Sequence, residues 1–229
     1  KTIRLNKLGV LVPVTEELVE DAPSLDGYLR RVAPGKIHAR LNTAIIDGSG
    51  AGQPLGLLNS DSLVSVAKES AQSADTVVYQ NIVNMFSRMY APCVPNAVWL
   101  INQDILPQLL QMEFPSANNG TFPAWMPPGM LASAPNGAIM GRPIVPVQGC
   151  NTLGDKGDII FADLTKYLTV IKSGGVRADV SMHLYFDYDM LAYRFVMRLT
   201  GQPWWRTYIS PASGSSNYLS CFVTLDERA

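Results

Sequence analysis

Residues Leu11 to Leu58 read LVPVTEELVEDAPSLDGYLRRVAPGKIHARLNTAIIDGSGAGQPLGLL, and the reading of this stretch decides the fold. It opens on an extended run, Leu11-Val12-Pro13-Val14. Thr15 follows, and its hydroxyl can accept an orphan backbone N–H at a helix start. Glu16 and Glu17 then place negative charge where the helix dipole favours it. Pro23 suits a first helical turn, where its missing N–H costs nothing, so the helix proper is expected from near Ser24. Leu25, Tyr28, Leu29 and Val32 share one face at helical spacing, and Ile37, Leu41, Ala44 and Ile45 resume the stripe. Between them, Pro34-Gly35 predicts a kink or two helices end to end, because an internal proline removes a hydrogen bond and disfavours the helical residue before it. The stretch closes in Gly48-Ser49-Gly50-Ala51-Gly52, a glycine run that invites a nucleotide reading. It follows a helix rather than a strand, Gln53 stands at the third glycine's place, and no G-K-[ST] occurs. A turn with positive φ and close packing is expected instead.

These residues resemble the signature region of tailed-phage major capsid proteins. The matching positions are Thr15, Glu17, Leu18, Asp21, Leu25, Tyr28, Leu29, Ala44, Ile45, Ile46, Gly48, Gly50, Gln53, Pro54 and Gly56. Further along, Trp99-Leu100-Ile101-Asn102 is similar to that family's "W.lN" strand. Met140-Gly141-Arg142-Pro143-Ile144-Val145 is similar to its "l.G.PVv" turn and strand. Phe161 to Tyr167 stands where the family has "fGDf..y", with Ala162 replacing the usual glycine. The last 20 or so residues carry little of the likeness.

The resemblance implies an α+β fold with two domains. A peripheral domain, holding a spine helix over about 15–47 and a long sheet, would comprise 1–74 and 172–212. An axial domain would comprise 75–171 and 213–229. The family's N-terminal arm and most of its extended loop would lie before Lys1. The implied role is structural, with no catalytic, cofactor or metal residues. Copies would form pentamers and hexamers through cyclic, heterologous contacts and close an icosahedral shell around phage DNA. The implied place is the virion, after assembly in the bacterial cytoplasm. Scaffold, portal, maturation protease and decoration proteins are the further partners implied. An encapsulin-type compartment shares the fold and is the alternative; an enzyme of unrelated α+β fold is the second. Where some members carry a crosslinking Asn, Phe186 to Tyr193 has none, so no crosslink is expected. Without the arm and loop, the 229-residue form is expected to fold but not to close into shells, remaining a monomer or small oligomer, since it would lose much of the contact area a stable interface requires, about 1,200–2,000 Å² in total.

Composition is consistent with this reading. The length can bury a real core. Charged residues are 16% of the chain, against about a quarter in most soluble domains, as suits a subunit that hides surface in contacts. A net charge of −1 leaves no basic footprint for gripping nucleic acid, so no specific binding is expected. No apolar run approaches the roughly 18 residues of a membrane span. Cys93, Cys150 and Cys221 are odd in number, widely spaced and without a C-x-x-C, which predicts buried free thiols in a reducing cytoplasm.

Beyond Gly48, residues 48–74 read as loop. Asp75 to Met89 reads as a helix capped by Asp75, with Val78, Ile82, Met85, Phe86 and Met89 on one face. Ala97–Ile101 reads as a buried strand and Gln103–Met112 as a short helix. Glu113–Gly137 reads as an irregular, partly mobile loop. Strands are expected at 139–147, 158–162, 167–171, 176–184, 204–209 and 218–225, with 187–199 extended or mixed. Antiparallel-type strands without βαβ alternation favour α+β.

His38 and His183 have no Cys or carboxylate at ligand spacing and no evident catalytic partner. Asp187-Tyr188-Asp189 on a strand would put two carboxylates on one face, as any solvated strand does. Glu16, Glu17, Glu20 and Asp21 form an acidic patch, and Arg30, Arg31, Lys36 and Arg40 a basic one. These are either solvated faces or the two halves of a contact between copies. Trp204, Trp205, Arg206 and Tyr208 are residue types enriched at contacts. Gln148–Gly157 corresponds in position to the family's axial loop, so Gln148 and Asp155 are candidate contact residues; the loop is expected to be exposed and mobile in an isolated subunit.

Overall fold

The structure is a computed structural model, and it describes residues 3–22, 24–114, 122–123, 137–213 and 217–228. In chain order the elements are β1 (Asn6–Thr15), α1 (Glu16–Asp21), α2 (Leu25–Asp47), β2 (Val64–Val66), α3 (Tyr79–Ser87) and β3 (Val98–Ile101). There follow α4 (Leu106–Gln111), β4 (Glu113–Phe114), β5 (Phe122–Pro123), β6 (Ala138–Ile139), β7 (Arg142–Pro146) and β8 (Ile159–Ala162). The remaining strands are β9 (Tyr167–Ile171), β10 (Arg177–Tyr185), β11 (Met190–Pro203) and β12 (Phe222–Leu225). They divide into two units: Lys1–Gly56 with Thr169–Gln202, and Leu57–Leu168 with Pro203–Ala229. The boundaries at 56/57, 168/169 and 202/203 differ from the 74/75, 171/172 and 212/213 expected from sequence.

In the first unit β1 pairs antiparallel with β11, from Asn6↔Leu199 to Thr15↔Met190, and β10 pairs along the other side of β11. β9 also pairs with β11. The strand period of two turns Tyr193, Phe195, Met197 and Leu199 inward. They meet Ala33 and Ile37 of α2, with Leu8, Val10 and Val12 of β1 packed beside them. α2 runs unbroken through Pro34, which corrects the expected kink. Buried Ala33 and Ile37 flank the proline, and Ile37 is 1% exposed. Burying such a side chain is worth about 1.5–3 kcal/mol, comparable with the ~3 kcal/mol an internal proline costs.

The break between α1 and α2 falls where the sequence places it, though Pro23 itself lies outside the described residues. Thr15 is the N-cap residue of α1, but its hydroxyl makes no capping bond. The Glu16 N–H instead donates to the Asp189 carbonyl at 3.1 Å, so the turn between β10 and β11 does the capping.

The second unit is built on a six-stranded sheet in the order β2-β12-β8-β3-β7-β6. β8 and β12 are buried along their whole length, as central strands must be. Trp99 stacks on Phe161 at 4.1 Å beneath the sheet's centre, and Phe86 of α3 stacks on the same ring at 5.7 Å. Two pairings, β12–β2 and β3–β7, are parallel, which corrects the antiparallel expectation. β2 lies inside the stretch read as loop.

Other corrections are local. α3 begins at Tyr79, not Asp75, which has φ 51 and lies before it. The start is capped from within, by Asn81 Oδ1 accepting the Val78 N–H at 3.0 Å. The expected strand 204–209 is reduced to a single bridge, Ile209↔Leu219, and the expected strand 218–225 to β12. Most of the expected loop 113–137 lies outside the described residues.

The thiol expectation also changes. Cys93 and Cys221, 128 residues apart, form a disulfide. Spacing could not show it, because it depends on the Tyr90 N–H bonding the Ser220 carbonyl at 2.9 Å and bringing the two segments together. Cys150 is free and buried, and burial pushes its thiol up to about 12. It should therefore be protonated and inert. A thiol-counting reagent at pH 8 should find Cys150 only after unfolding; rapid reaction of the native chain at Cys150 would refute this.

Candidate functional site

The residues singled out in the sequence are spread over exposed surfaces and the turns that hold them. The turn after α2 is the most constrained. The Gly48 N–H donates to the Ala44 carbonyl, ending the helix. The Gly56 N–H then returns to the Gly48 carbonyl at 2.7 Å, and the Gly50 N–H to Pro54 at 3.2 Å. Gln53 Nε2 closes the loop on Ser49 Oγ at 3.0 Å, and the Leu55 N–H ties it to the Gly201 carbonyl of β11 at 2.8 Å. Gly50 and Gly52 take φ of 77° and 73°, as the sequence predicts.

In the second unit the residues matched by resemblance also have internal jobs. Trp99 is fully buried and its indole N–H donates to the Ile139 carbonyl at 3.1 Å. Met140 and Gly141, with φ of 49° and 71°, form the two-residue turn between β6 and β7; two positive φ values there match the right-handed twist of the strands. Pro143 is exposed on β7. Asn102 Oδ1 accepts the Asp104 N–H, while its Nδ2 donates to the carbonyls of Cys150 and Asn151, both at 3.0 Å. Asn102 thus holds the base of the 148–157 loop. Cys150, Gly154 and Gly157 in that loop are buried, and Gln148, Thr152, Asp155 and Lys156 are exposed. The loop is anchored rather than wholly exposed, and Asp155 takes the Thr152 hydroxyl at 2.6 Å.

Three of the other matched residues face solvent. Glu17, Asp21 and Tyr28 are exposed, Tyr28 by 53%. Glu20, Arg31 and Arg40 are exposed, and Arg30 pairs with Asp26 one turn away at 2.9 Å. Trp204 is 65% exposed and Arg206 is exposed, while Trp205 packs edge-on to Tyr90. His38 and His183 both lie exposed on the first unit. Asp187 and Asp189 sit in a tight turn, not on one face of a strand, which corrects the paired-carboxylate geometry. A side-chain hydrogen bond to Asp189 raises the Glu16 carboxyl above its ordinary range. The Arg194 hydrogen bond holds Asp179 below its range.

Two features escape sequence reasoning. The hairpin of β10 and β11 ends in exposed apolar side chains: Val180, Met182, Leu184, Phe186 and Tyr188. Phe186 is 76% exposed. The strand is legible, but nothing in its spacing says that these side chains stand exposed. The second is a buried ion pair, Asp158 with Arg228, both fully buried. Arg228 lies in the segment with the least resemblance, and only the fold brings it to Asp158.

A profile described as the phage capsid family matches residues 1–209. The capsid of a native GTA particle is similar in structure over 98% of this chain and 73% of that one, with a TM-score of 0.71 at 15% identity. A chain from Microbacterium phage Oxtober96 gives 0.64 at 15% identity over 97% and 72%. The SrpI encapsulin of Synechococcus elongatus PCC 7942 gives 0.57 at 10% identity over 97% and 73%. At such identities the likeness is one of fold. No curated protein matches the sequence. Among the described residues, no helix is long and apolar enough to cross a membrane.

Proposed function

The chain belongs to the phage capsid family, and from that premise we propose that this major capsid protein joins its neighbours through the exposed tip of the β10–β11 hairpin. The protein is structural and self-assembling, and its place is the virion. The observation that carries the proposal is the apolar run from Val180 to Tyr188. A soluble monomer rarely leaves so many large apolar side chains together in water, and such patches mark interaction sites. Exposed Glu17, Glu20, Asp21 and Arg31, Arg40 supply charges of both signs, which steer and orient contacts more than they tighten them. On this reading the first unit is the peripheral domain and the second the axial domain. Pentamers and hexamers, an enclosed DNA and an absence of catalysis follow from the same reading. Scaffold, portal, protease and decoration proteins are partners proposed on family likeness alone, and an encapsulin role is a distant alternative.

The test is Phe186→Lys with Met182→Lys in the product of the whole reading frame. Secondary structure and melting temperature should stay close to wild type, because both side chains are exposed in the subunit. Particle yield by negative-stain microscopy should fall at least about tenfold, as expected when apolar anchors of an interface are replaced by charges. Normal particles in normal yield would refute the hairpin contact.

A further inference from the structure

Asp163 follows β8 and caps the turn Leu164–Lys166. Its Oδ1 accepts the Thr165 N–H at 3.0 Å and the Thr165 hydroxyl at 2.7 Å. Its Oδ2 is buried and has no hydrogen-bond partner among the described residues. Its N–H donates to the Cys221 carbonyl at 2.9 Å. Asp163, Cys93 and Cys221 are all fully buried. Their ligand atoms, two sulfurs and a carboxylate oxygen, lie within 4.8 Å of one another.

We propose that Cys93, Cys221 and Asp163 form a site for a thiophilic divalent cation of the zinc class, filled when the cysteine pair is reduced. Buried carboxylate oxygens are nearly always partnered, and an unbonded one is a signal for an ion; Asp163 has such an oxygen, and its carboxylate stands beside two sulfurs. Thiolates are the ligands that soft and borderline metals select, and a carboxylate is an accepted companion. The two Thr165 bonds orient the carboxylate, as outer partners do for metal-binding carboxylates. Three protein ligands leave the fourth tetrahedral position to water.

The disulfide and the metal are alternatives at one place. A dithiol reductant breaks the Cys93–Cys221 bond, giving two thiols and its own disulfide; two electrons and two protons pass to the pair. Binding the cation then releases those two protons to solvent, because thiolate is the ligand form. Either state clips together segments 128 residues apart.

The test is a Co2+ titration of the dithiol-reduced chain after the reductant is removed under argon. One equivalent should give a thiolate-to-cobalt charge-transfer band. The band should be absent from the oxidised chain, retained in Cys150→Ser and displaced by Zn2+. Asp163→Asn should weaken binding at least ~10-fold, the lower end of what even outer-shell changes cost a metal site. Zn2+ should slow re-formation of the disulfide in air. A reduced chain that keeps its circular dichroism and carries free thiols, yet shows no band, would overturn the site. A band in the oxidised chain, or unchanged affinity in Asp163→Asn, would overturn the ligand assignment.

Discussion

Arg228→Ala is expected to cost about 3–5 kcal/mol of stability, the range for breaking one partner of a buried ion pair. The guanidinium meets Asp158 through both terminal nitrogens. Its Nε donates to the Thr76 carbonyl at 2.8 Å, and one terminal nitrogen donates to the Asp226 carbonyl at 3.2 Å. Backbone bonds run alongside, from the Arg228 N–H to Gly154 at 2.8 Å and from the Asp75 N–H to Arg228 at 3.2 Å. Asp158 in turn accepts the Ile159 and Gly154 N–H groups at 2.7 and 3.1 Å. Alanine would leave the carboxylate buried with those two donors and no cation. It would also remove the bonds to two carbonyls, each worth about 1 kcal/mol; that of Thr76 keeps the Gln72 Nε2 donor at 2.7 Å, while that of Asp226 loses its side-chain donor. Arg228→Met with Asp158→Asn should be milder than Arg228→Ala alone, because it removes the unpaired charge as well as the pair. Urea unfolding midpoints would decide it: a loss below about 1 kcal/mol for Arg228→Ala would refute the clamp.

The same clamp has a consequence for the loop at 148–157. Asn102 fixes that loop at Cys150 and Asn151, and Asp158 with Arg228 fixes it at Gly154. Its exposed residues, Gln148, Thr152, Asp155 and Lys156, therefore project from a base held at both ends. A contact made there would be pre-organised, so little ordering entropy would be lost on assembly.

Legibility in the sequence followed the range of the interactions. α2 was readable because its stripe repeats locally, and β8 and β3 because buried central strands are short apolar runs. The proline at 34 misleads because propensity is local, whereas Ala33 and Ile37 are held by β11, more than 150 residues away, together with β1. The residues that resembled the capsid family split into two kinds. Gly48, Gly56, Trp99, Asn102 and Gly141 fold the subunit, and each has a steric or hydrogen-bonding reason. Glu17, Asp21 and Tyr28 face solvent; Glu17 lies in the first turn of α1, where the dipole favours it, and none of the contacts among the described residues explains Asp21 or Tyr28. The disulfide and the ion pair were unreadable, since both join segments by long-range sheet pairing. The apolar hairpin reads as strand, but the exposure of its side chains is a property of topology.

Gly56→Ala and Gly48→Ala should each destabilise the first unit by about 3 kcal/mol or more, the upper end for overpacking plus a lost backbone bond. Neither glycine needs an unusual φ; the reason is space. A Cβ on Gly48 would stand 2.2 Å from the Pro54 carbonyl oxygen and 2.3 Å from that of Ala44. A Cβ on Gly56 would stand 2.3 Å from the Gly48 nitrogen and 2.6 Å from the Ile46 carbonyl oxygen. All four neighbours are backbone atoms, so no rotamer change relieves the clash. The chain would have to open the Gly56-to-Gly48 bond and loosen the last turn of α2. That turn carries Ile46, which is 3% exposed, and the adjoining Leu55 bond ties it to β11. Gly52→Ala is the control: its Cβ would meet nothing within 4 Å, so only the left-handed backbone is strained, at ~1–2 kcal/mol. Amide exchange at Gly48, Leu55 and Gly56 should rise most in the first two variants and distinctly less in the third. Equal melting temperatures for Gly56→Ala and wild type would show that the turn can open without loss, and would remove the steric reason for glycine at that place in the signature.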